Sequence, residues 1–129
     1  MLVPEETNYA RVKAFMEKMQ LPRDMRPGDF GYHELCGIRS DMLLEEVVEF
    51  NRAVRANDRA EMFDALLDLH YYLLGTYVSL GFQEDKVNEG FKRVHISNME
   101  KERGQGKRQT QWDVIKPEGW TAAELEDLV

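Results

Sequence analysis

The segment from Arg59 to Leu80 is the part of this sequence that most constrains the fold. Its apolar residues occupy nearly the whole circumference of a helix, which predicts a buried helix. Asp64 and Asp68 nevertheless lie one turn apart on one face of that helix, with Glu61 just before them. A buried carboxylate is costly unless it is neutralised, paired or bound to a cation, and no Lys or Arg stands at helical spacing on that line. The segment therefore predicts a helix that carries acids into an apolar interior.

The rest of the chain predicts an all-α bundle of four to five helices with a loop-rich C-terminal tail, as a single domain over residues 1–129. Apolar spacing predicts three further helices, from Pro4 or Thr7 to Met19, from Ile38 to Ala56 and from Glu84 to Glu102. Turn-forming residues predict a loop over Pro22 to Cys36. A domain of this size with long apolar helices is expected to assemble as a homo-oligomer.

The ends of these helices carry their own signals. Asp58 followed by Glu61 is typical of a capping box, and Gly81 suits the left-handed position after a helix. After Arg103 the polar, glycine-bearing stretch GQGKRQTQ predicts a flexible loop. We expect the two tryptophans of the tail, Trp112 and Trp120, to pin it onto the helices. Thr121 followed by Glu124 is typical of a second capping box, which predicts a short final helix.

Charge and cysteine content exclude several classes of protein. A net charge of -7 is opposite to that of a protein that neutralises phosphate backbones, so nucleic acid is not expected as a partner. Cys36 is the single cysteine, which excludes an intramolecular disulfide and cysteine-rich metal sites. The N-terminus lacks the features of a secretory signal, and the apolar run from Leu69 to Leu80 is too short to span a membrane. These features predict a cytoplasmic protein with no membrane partner.

A second group of acids lies on the preceding helix. Glu45, Glu46 and Glu49 fall in one sector together with apolar neighbours, whereas Asp41, Arg52 and Arg55 are predicted on a separate, solvated side. A short Asn-Asp turn makes this helix and the next antiparallel neighbours, so that their acids can face each other. Oxygen ligands without Cys or His favour hard cations, which predicts Mg²⁺ or Mn²⁺.

Other readings of these acids are possible from the residues alone. The EExxE group taken by itself fits a solvated helix face. A non-enzymatic helical oligomerisation module, whose acid-lined interface is satisfied by basic residues of a partner subunit, also fits the apolar helix. A di-iron carboxylate bundle does not, because none of the three histidines has an acid three residues before it.

The chain resembles the all-α nucleotide pyrophosphohydrolases, which include MazG-like proteins and phosphoribosyl-ATP pyrophosphohydrolase. The matching pieces are LLEEVVEF from Leu43, DALLDLHYYLLGTYVSLGF from Asp64 and FKRVHISNMEK from Phe91. The resemblance implies Mg²⁺- or Mn²⁺-dependent hydrolysis of a (deoxy)nucleoside triphosphate to its monophosphate and pyrophosphate. Such an enzyme acts in control of the nucleotide pool, including the shaping of a phage-type dNTP pool. Two or more ions per site would explain why so many carboxylates converge, and we expect a homodimer or a homotetramer built as a dimer of dimers.

The same resemblance assigns roles to individual residues. Glu46, Glu49 and Asp68 are implied as metal ligands, and Glu45 as the residue that orients or activates the attacking water. Asp64 is included as a metal ligand, although the family's usual ExxD motif is interrupted here, since Ala stands three residues before Asp68. The nucleotide-binding residues implied by the VHISNMEK region are Lys92, Arg93, His95, Asn98 and Lys101. For His95, a phosphate contact and an interface role both stay open.

Overall fold

The computed structural model describes residues 6–129, which form four α-helices and one small β-hairpin. The helices are α1 (Asn8–Lys18), α2 (Tyr32–Arg55), α3 (Arg59–Ser79) and α4 (Glu84–Met99). The strands are β1 (Glu102–Arg103) and β2 (Val114–Ile115), and a 3₁₀ turn covers Glu126–Leu128. The chain separates into two compact units, of which the first ends at Gln83 and the second runs from Glu84 to Val129. The predicted all-α character is confirmed, with the small hairpin as an addition.

Helix α1 begins where the sequence predicts one of its two possible starts. The Thr7 hydroxyl accepts a hydrogen bond from the Ala10 amide at 3.1 Å, which caps the first turn. The alternative start at Pro4 lies outside the described residues. Val12 and Met16, one turn apart, are buried, and α1 packs on α3 through this face.

Helix α2 begins at Tyr32, so the predicted loop over Pro22 to Cys36 is wrong in its last five residues. Gly31, with φ at 82°, makes the left-handed turn from which the helix starts. Leu35 is buried in the second turn of the helix. Its packing outweighs the weak helix propensity of the Gly37 region, which is why the sequence alone misplaced this boundary.

A short turn joins α2 to α3 as the sequence predicts. Asn57 adopts φ of 52°, and the Asp58 carboxylate accepts a hydrogen bond from the Glu61 amide at 3.1 Å. Among the described helices, α2 and α3 share the most extensive packing contact, and Ala53 and Ala65 are buried. Small residues let two helices approach closely, so the acids that each helix carries on this side lie near one another.

The C-terminal end of α3 is closed by backbone hydrogen bonds. Gly81 has φ of 76°, which confirms the left-handed position that the sequence predicts. The Phe82 amide donates to the Tyr77 carbonyl at 2.9 Å, which completes a Schellman motif. The amides of Asp24 and Met25 donate to the last carbonyls of α3, each at 2.9 Å. The loop before α2 is thereby fixed to the end of α3.

The prediction that α3 is buried around its circumference is wrong for the single chain. Phe63 is 64% exposed, and Leu66 and Leu67 are 45% and 49% exposed. Two neighbouring helices cover only part of a third helix, so an apolar stripe on its other side is left facing outward. An apolar cavity of about 700 Å³ lies on this side, lined by Phe50, Arg59, Ala60, Met62, Phe63 and Leu66.

In the second unit, α4 ends at Met99, three residues before the predicted end, and is followed by the hairpin. The antiparallel register pairs Glu102 with Ile115 and Arg103 with Val114. The sequence predicted no strand here, because two residues per strand carry no alternating pattern. The loop between the strands is held by the buried Asp113, which is 5% exposed.

The tail after the hairpin follows the sequence only in part. Trp120 donates from Nε1 to the Ser97 carbonyl at 2.8 Å, so it does pin the tail onto α4. Trp112 is 77% exposed, and its predicted pinning role is wrong. The predicted capping box of Thr121 and Glu124 is also wrong, because the final 3₁₀ turn starts after Leu125 without a side-chain cap.

Within the described part of the chain, none of the helices combines the length and the apolar character that crossing a membrane requires.

Candidate active site

Three acids from two helices converge in the first unit. Glu46 and Glu49 lie one turn apart on α2, and Asp68 reaches the same point from α3. Each offers one carboxylate oxygen, and these three oxygens all lie within 4.8 Å of one another. We refer to Glu46, Glu49 and Asp68 as the acid cluster. The convergence that the sequence predicted for these residues is present in the structure.

The burial of Glu46 distinguishes the acid cluster from an ordinary charged surface. Glu46 is 8% exposed, whereas Glu49 is exposed. The Glu46 Oε2 atom has no hydrogen-bond partner among the described residues, although it is shielded from solvent. A buried carboxylate oxygen without a partner is costly. Its position calls for a bound cation or proton.

The geometry of the acid cluster fits a small divalent cation. Mg²⁺ binds oxygen ligands at about 2.1 Å, so opposite ligands lie roughly 4.2 Å apart. The 4.8 Å limit on the separations in the cluster is close to this distance, and small side-chain rotations bridge the difference. All donors are carboxylate oxygens, which suits Mg²⁺ or Mn²⁺.

Burial and mutual repulsion act on the protonation of the acid cluster. Burial raises the pKa of Glu46, and the neighbouring charges of Glu49 and Asp68 raise it further. Burial also raises the pKa of Asp68, with added repulsion from Asp64 and Glu49. A divalent cation would relieve both causes, because it replaces like-charge repulsion by attraction.

Glu45 and Asp64 lie beside the acid cluster rather than in it. Asp64 is close enough to Asp68 to raise its pKa by repulsion, but it is not among the three converging acids. Glu45 is exposed and lines an open cavity of about 440 Å³ together with Glu49. It is thus next to the cluster and accessible to water.

The cavity beside Glu45 also contains residues that the sequence placed elsewhere. Asp41 and Arg52 line it together with Glu45 and Glu49, so the predicted separation of the acidic and basic sectors of α2 is wrong for these two residues. Residues 41, 45, 49 and 52 follow one another at intervals of four and three, which places them along one side of the helix. Arg52 therefore gives this acidic cavity a positive group.

A second cavity, of about 210 Å³, lies on the α3 side of the acid cluster. It is lined by Asn8, Arg11, Val12, Leu67, Asp68, His70, Tyr71 and Leu74. The sequence did not identify the α1 residues of this wall, because nothing in their spacing shows that α1 packs beside Asp68. The cavity joins one acid of the cluster to amide, guanidinium and aromatic groups.

The five predicted nucleotide-binding residues all lie in the second unit. Lys92, His95 and Asn98 are exposed on α4, and Lys101 follows the helix. Arg93 is engaged within the unit. Its Nη1 and Nη2 atoms donate to the two Asp127 carboxylate oxygens at 2.6 and 3.0 Å, and its Nε donates to Glu89 at 3.1 Å.

Residues 12–97 match the protein-family model described as phosphoribosyl-ATP pyrophosphohydrolase. This span contains the whole acid cluster and most of α4. None of the curated proteins matches the chain.

Proposed function

Since the chain belongs to the phosphoribosyl-ATP pyrophosphohydrolase family, within the MazG-like all-α superfamily, we propose that it hydrolyses a (deoxy)nucleoside triphosphate. The family implies a pyrophosphohydrolase acting on a nucleotide-like substrate. The proposal adds that the products are the nucleoside monophosphate and pyrophosphate, and that the enzyme depends on Mg²⁺ or Mn²⁺. It acts in the control of a cytoplasmic nucleotide pool.

One observation carries this proposal, namely the buried Glu46 oxygen that has no partner within an acid cluster. A solvated acidic face would not bury Glu46 to 8% exposure or leave Oε2 shielded from water. Spacing within one helix does not explain the cluster either, because it brings together only Glu46 and Glu49, whereas Asp68 belongs to a different helix. Glu46, Glu49 and Asp68 are therefore the proposed metal ligands, and Asp64 is proposed as a ligand of a further ion next to Asp68.

Bound divalent ions would offset the negative charge of the phosphate oxygens and lower the pKa of bound water. Glu45 is the proposed base. It is exposed beside the cluster, where it can accept a proton from the attacking water. The water oxygen forms a bond to the α-phosphorus, the bond from that phosphorus to the bridging oxygen breaks, and pyrophosphate leaves. Arg52, in the same cavity, is placed to contact phosphate oxygens.

We place the nucleoside in the cavity that contains Asp68. Tyr71 offers an aromatic ring and Asn8 an amide there, which are the groups that stack on a base and bind its edge. The exposed residues of the second unit, Lys92, His95 and Asn98, are proposed as further nucleotide contacts. Arg93 is better explained as the residue that holds the C-terminal tail, because Asp127 takes both of its terminal nitrogens.

We further propose that the enzyme is a homodimer or a homotetramer. The exposed apolar stripe of α3, with Phe63, Leu66 and Leu67, supports this proposal because water contact with such a surface is unfavourable. The same stripe is the observation that favours the alternative, a non-enzymatic oligomerisation module. In that alternative the acid cluster would be satisfied by basic residues of a second subunit.

Nucleotide hydrolysis separates the two functions. The full chain is incubated with each common ribo- and deoxyribonucleoside triphosphate and with phosphoribosyl-ATP, with Mg²⁺ or Mn²⁺, and pyrophosphate release is measured. We expect release from at least one nucleotide, lost in Asp68→Asn and kept in Glu17→Gln, an exposed acid on α1. No release from any nucleotide, with a folded oligomer, would overturn the enzymatic proposal in favour of the module.

A further inference from the structure

The hairpin stretch carries a local excess of positive charge, although the chain as a whole is acidic. Residues 101–116 contain five basic and two acidic residues, whereas the whole chain has a net charge of -7. This stretch forms the hairpin of the second unit and lies beyond residues 12–97, which match the family. The resemblance assigns Lys101 a role in nucleotide binding, but it assigns no role to Lys116 or Trp120.

Two of these cations share one aromatic ring. The Lys101 Nζ lies 5.0 Å from the centroid of the Trp120 ring, and the Lys116 Nζ lies 4.9 Å from it. The ring is itself fixed, because the Trp120 Nε1 donates to the Ser97 carbonyl at 2.8 Å. Since both ammonium groups are that close to one point, they are at most about 10 Å apart. Cation–π attraction holds each lysine in place.

The two lysines flank the paired part of the hairpin. Glu102 pairs with Ile115, and Lys101 and Lys116 are the residues directly before and after this pair. Two like charges held close together repel each other. Neither lysine forms an ion pair with an acid anywhere in residues 6–129. The arrangement keeps two uncompensated cations together at the base of the hairpin.

The hairpin that carries them is well organised. The Asp113 carboxylate accepts hydrogen bonds from the amides of Gly106 and Thr110 and from the Thr110 hydroxyl, at 3.1 to 3.3 Å. Arg108 Nε lies 3.4 Å from the same carboxylate. A buried acid therefore fixes the loop, and the two lysines are presented by a preorganised support.

We propose that Lys101, Lys116 and Trp120 form a binding site for adjacent phosphate groups, as in the polyphosphate part of a nucleotide or in pyrophosphate. A dianionic phosphate chain offsets the repulsion between the two lysines, and the fixed indole ring keeps their entropy loss on binding small. The inference that a nucleotide supplies these phosphates rests on the proposed function. The binding of pyrophosphate does not depend on that function.

The test is calorimetric titration of inorganic pyrophosphate into the full chain with EDTA present, so that no divalent metal contributes. We expect saturable binding by the wild type, weakened roughly 10-fold or more in Lys101→Met and in Lys116→Met. Lys18→Met, which removes the same charge from an exposed position at the end of α1, should bind within about twofold of the wild type on that scale. Lys116→Arg keeps the charge and the ring contact, and it should retain binding even if Lys116→Met disturbs the hairpin.

Equal binding in the wild type and Lys116→Met would overturn the proposal, and so would binding of single-stranded DNA without binding of pyrophosphate. A third arm uses the Asp68→Asn variant, in which the acid cluster is disabled. If Asp68→Asn binds pyrophosphate and the wild type hydrolyses no nucleotide, the phosphate site is supported and the proposed enzymatic function is wrong. Hydrolysis by the wild type, together with equal pyrophosphate binding by the wild type and Lys116→Met, would show the reverse.

Discussion

Glu46 on α2 and Asp68 on α3 bring carboxylate oxygens to within 4.8 Å of each other, although each belongs to a different helix. Neither residue forms an ion pair with a basic side chain among residues 6–129, although Arg11 lines the same cavity as Asp68. The pKa of each carboxyl is raised by burial and by the other acids. The first unit therefore holds its acids in an arrangement that is unfavourable for an empty protein and favourable for one that binds cations.

Divalent metal should stabilise the folded chain. We expect Mg²⁺ and Mn²⁺ to raise the melting temperature in a saturable way, because a ligand that binds only the folded state shifts unfolding by mass action. Glu46→Gln should weaken metal binding at least about 100-fold, since even outer-shell changes cost 10 to 100-fold. Glu17→Gln is the matched control on α1. A metal-induced shift of the same size in Glu46→Gln and in the wild type would contradict the assignment.

Glu46 should make the metal-free protein less stable as the pH rises through the carboxyl range, whereas Asp113 and Asp127, whose pKa values are lowered, act in the opposite direction. The raised pKa of Glu46 means that the folded state keeps a proton which the unfolded chain has already released. The contribution of Glu46 to stability is therefore greatest below the ordinary carboxyl pKa and falls until the raised pKa is passed. Melting curves in EDTA at a series of pH values should show that the wild type loses stability relative to Glu46→Gln as the pH rises through this range. Identical pH dependence in both proteins would show that Glu46 does not titrate in this way.

Two helix glycines should respond in opposite directions to alanine. A Cβ at Gly75 would lie 3.1 Å from Arg39 Nη1 and 3.4 Å from Met16 Sδ, and Arg39 is too buried to move aside. We expect Gly75→Ala to lower the free energy of unfolding by about 1–3 kcal/mol. At Gly37 a Cβ meets no atom within 4 Å, so Gly37→Ala should raise it by about 0.5–1 kcal/mol. Urea denaturation measures the free energy of unfolding of both variants. Equal effects would mean that the Arg39 side chain moves aside at little cost.

The Arg93 and Asp127 pair should act on the tail rather than on the nucleotide. Arg93→Gln and Asp127→Asn each remove the two-point contact, so both should increase amide hydrogen exchange over residues 120–129 to a similar degree. Neither should raise KM for the nucleotide. A KM raised by Arg93→Gln alone would return Arg93 to the nucleotide-binding residues that the sequence predicts.

The exposed stripe on α3 should hold the oligomer together. Phe63→Glu places a charge in a surface that is apolar and 64% exposed at this residue, so we expect dissociation to monomers. Phe30→Glu is the control, because Phe30 is fully exposed in the loop before α2. Size-exclusion chromatography with light scattering reads out the mass. A monomeric wild type would contradict the proposed assembly.

Much of the fold followed from local signals in the sequence. The cap at Asp58, the turn at Asn57 and the left-handed Gly81 are set by residues within a few positions of one another, and the structure confirms them. The acids on α2 and α3 were also visible, because an acid on an apolar helix stands out from its neighbours. The start of α2 could not be predicted from the sequence, because it depends on the packing of Leu35.

What the sequence by itself determined was the set of helices, the cap of α3 and the acids that converge. Only the tertiary structure decided which groups surround those acids and which apolar residues stay exposed. It placed α1 beside Asp68, Arg52 in the cavity of Glu45, and Lys101 and Lys116 at the same Trp120 ring. The physical reason is the separation along the chain between the residues that interact. Caps and helical periods depend on bonds between near neighbours, whereas burial, hydrogen-bond partners and electrostatic surroundings depend on residues that are distant along the chain.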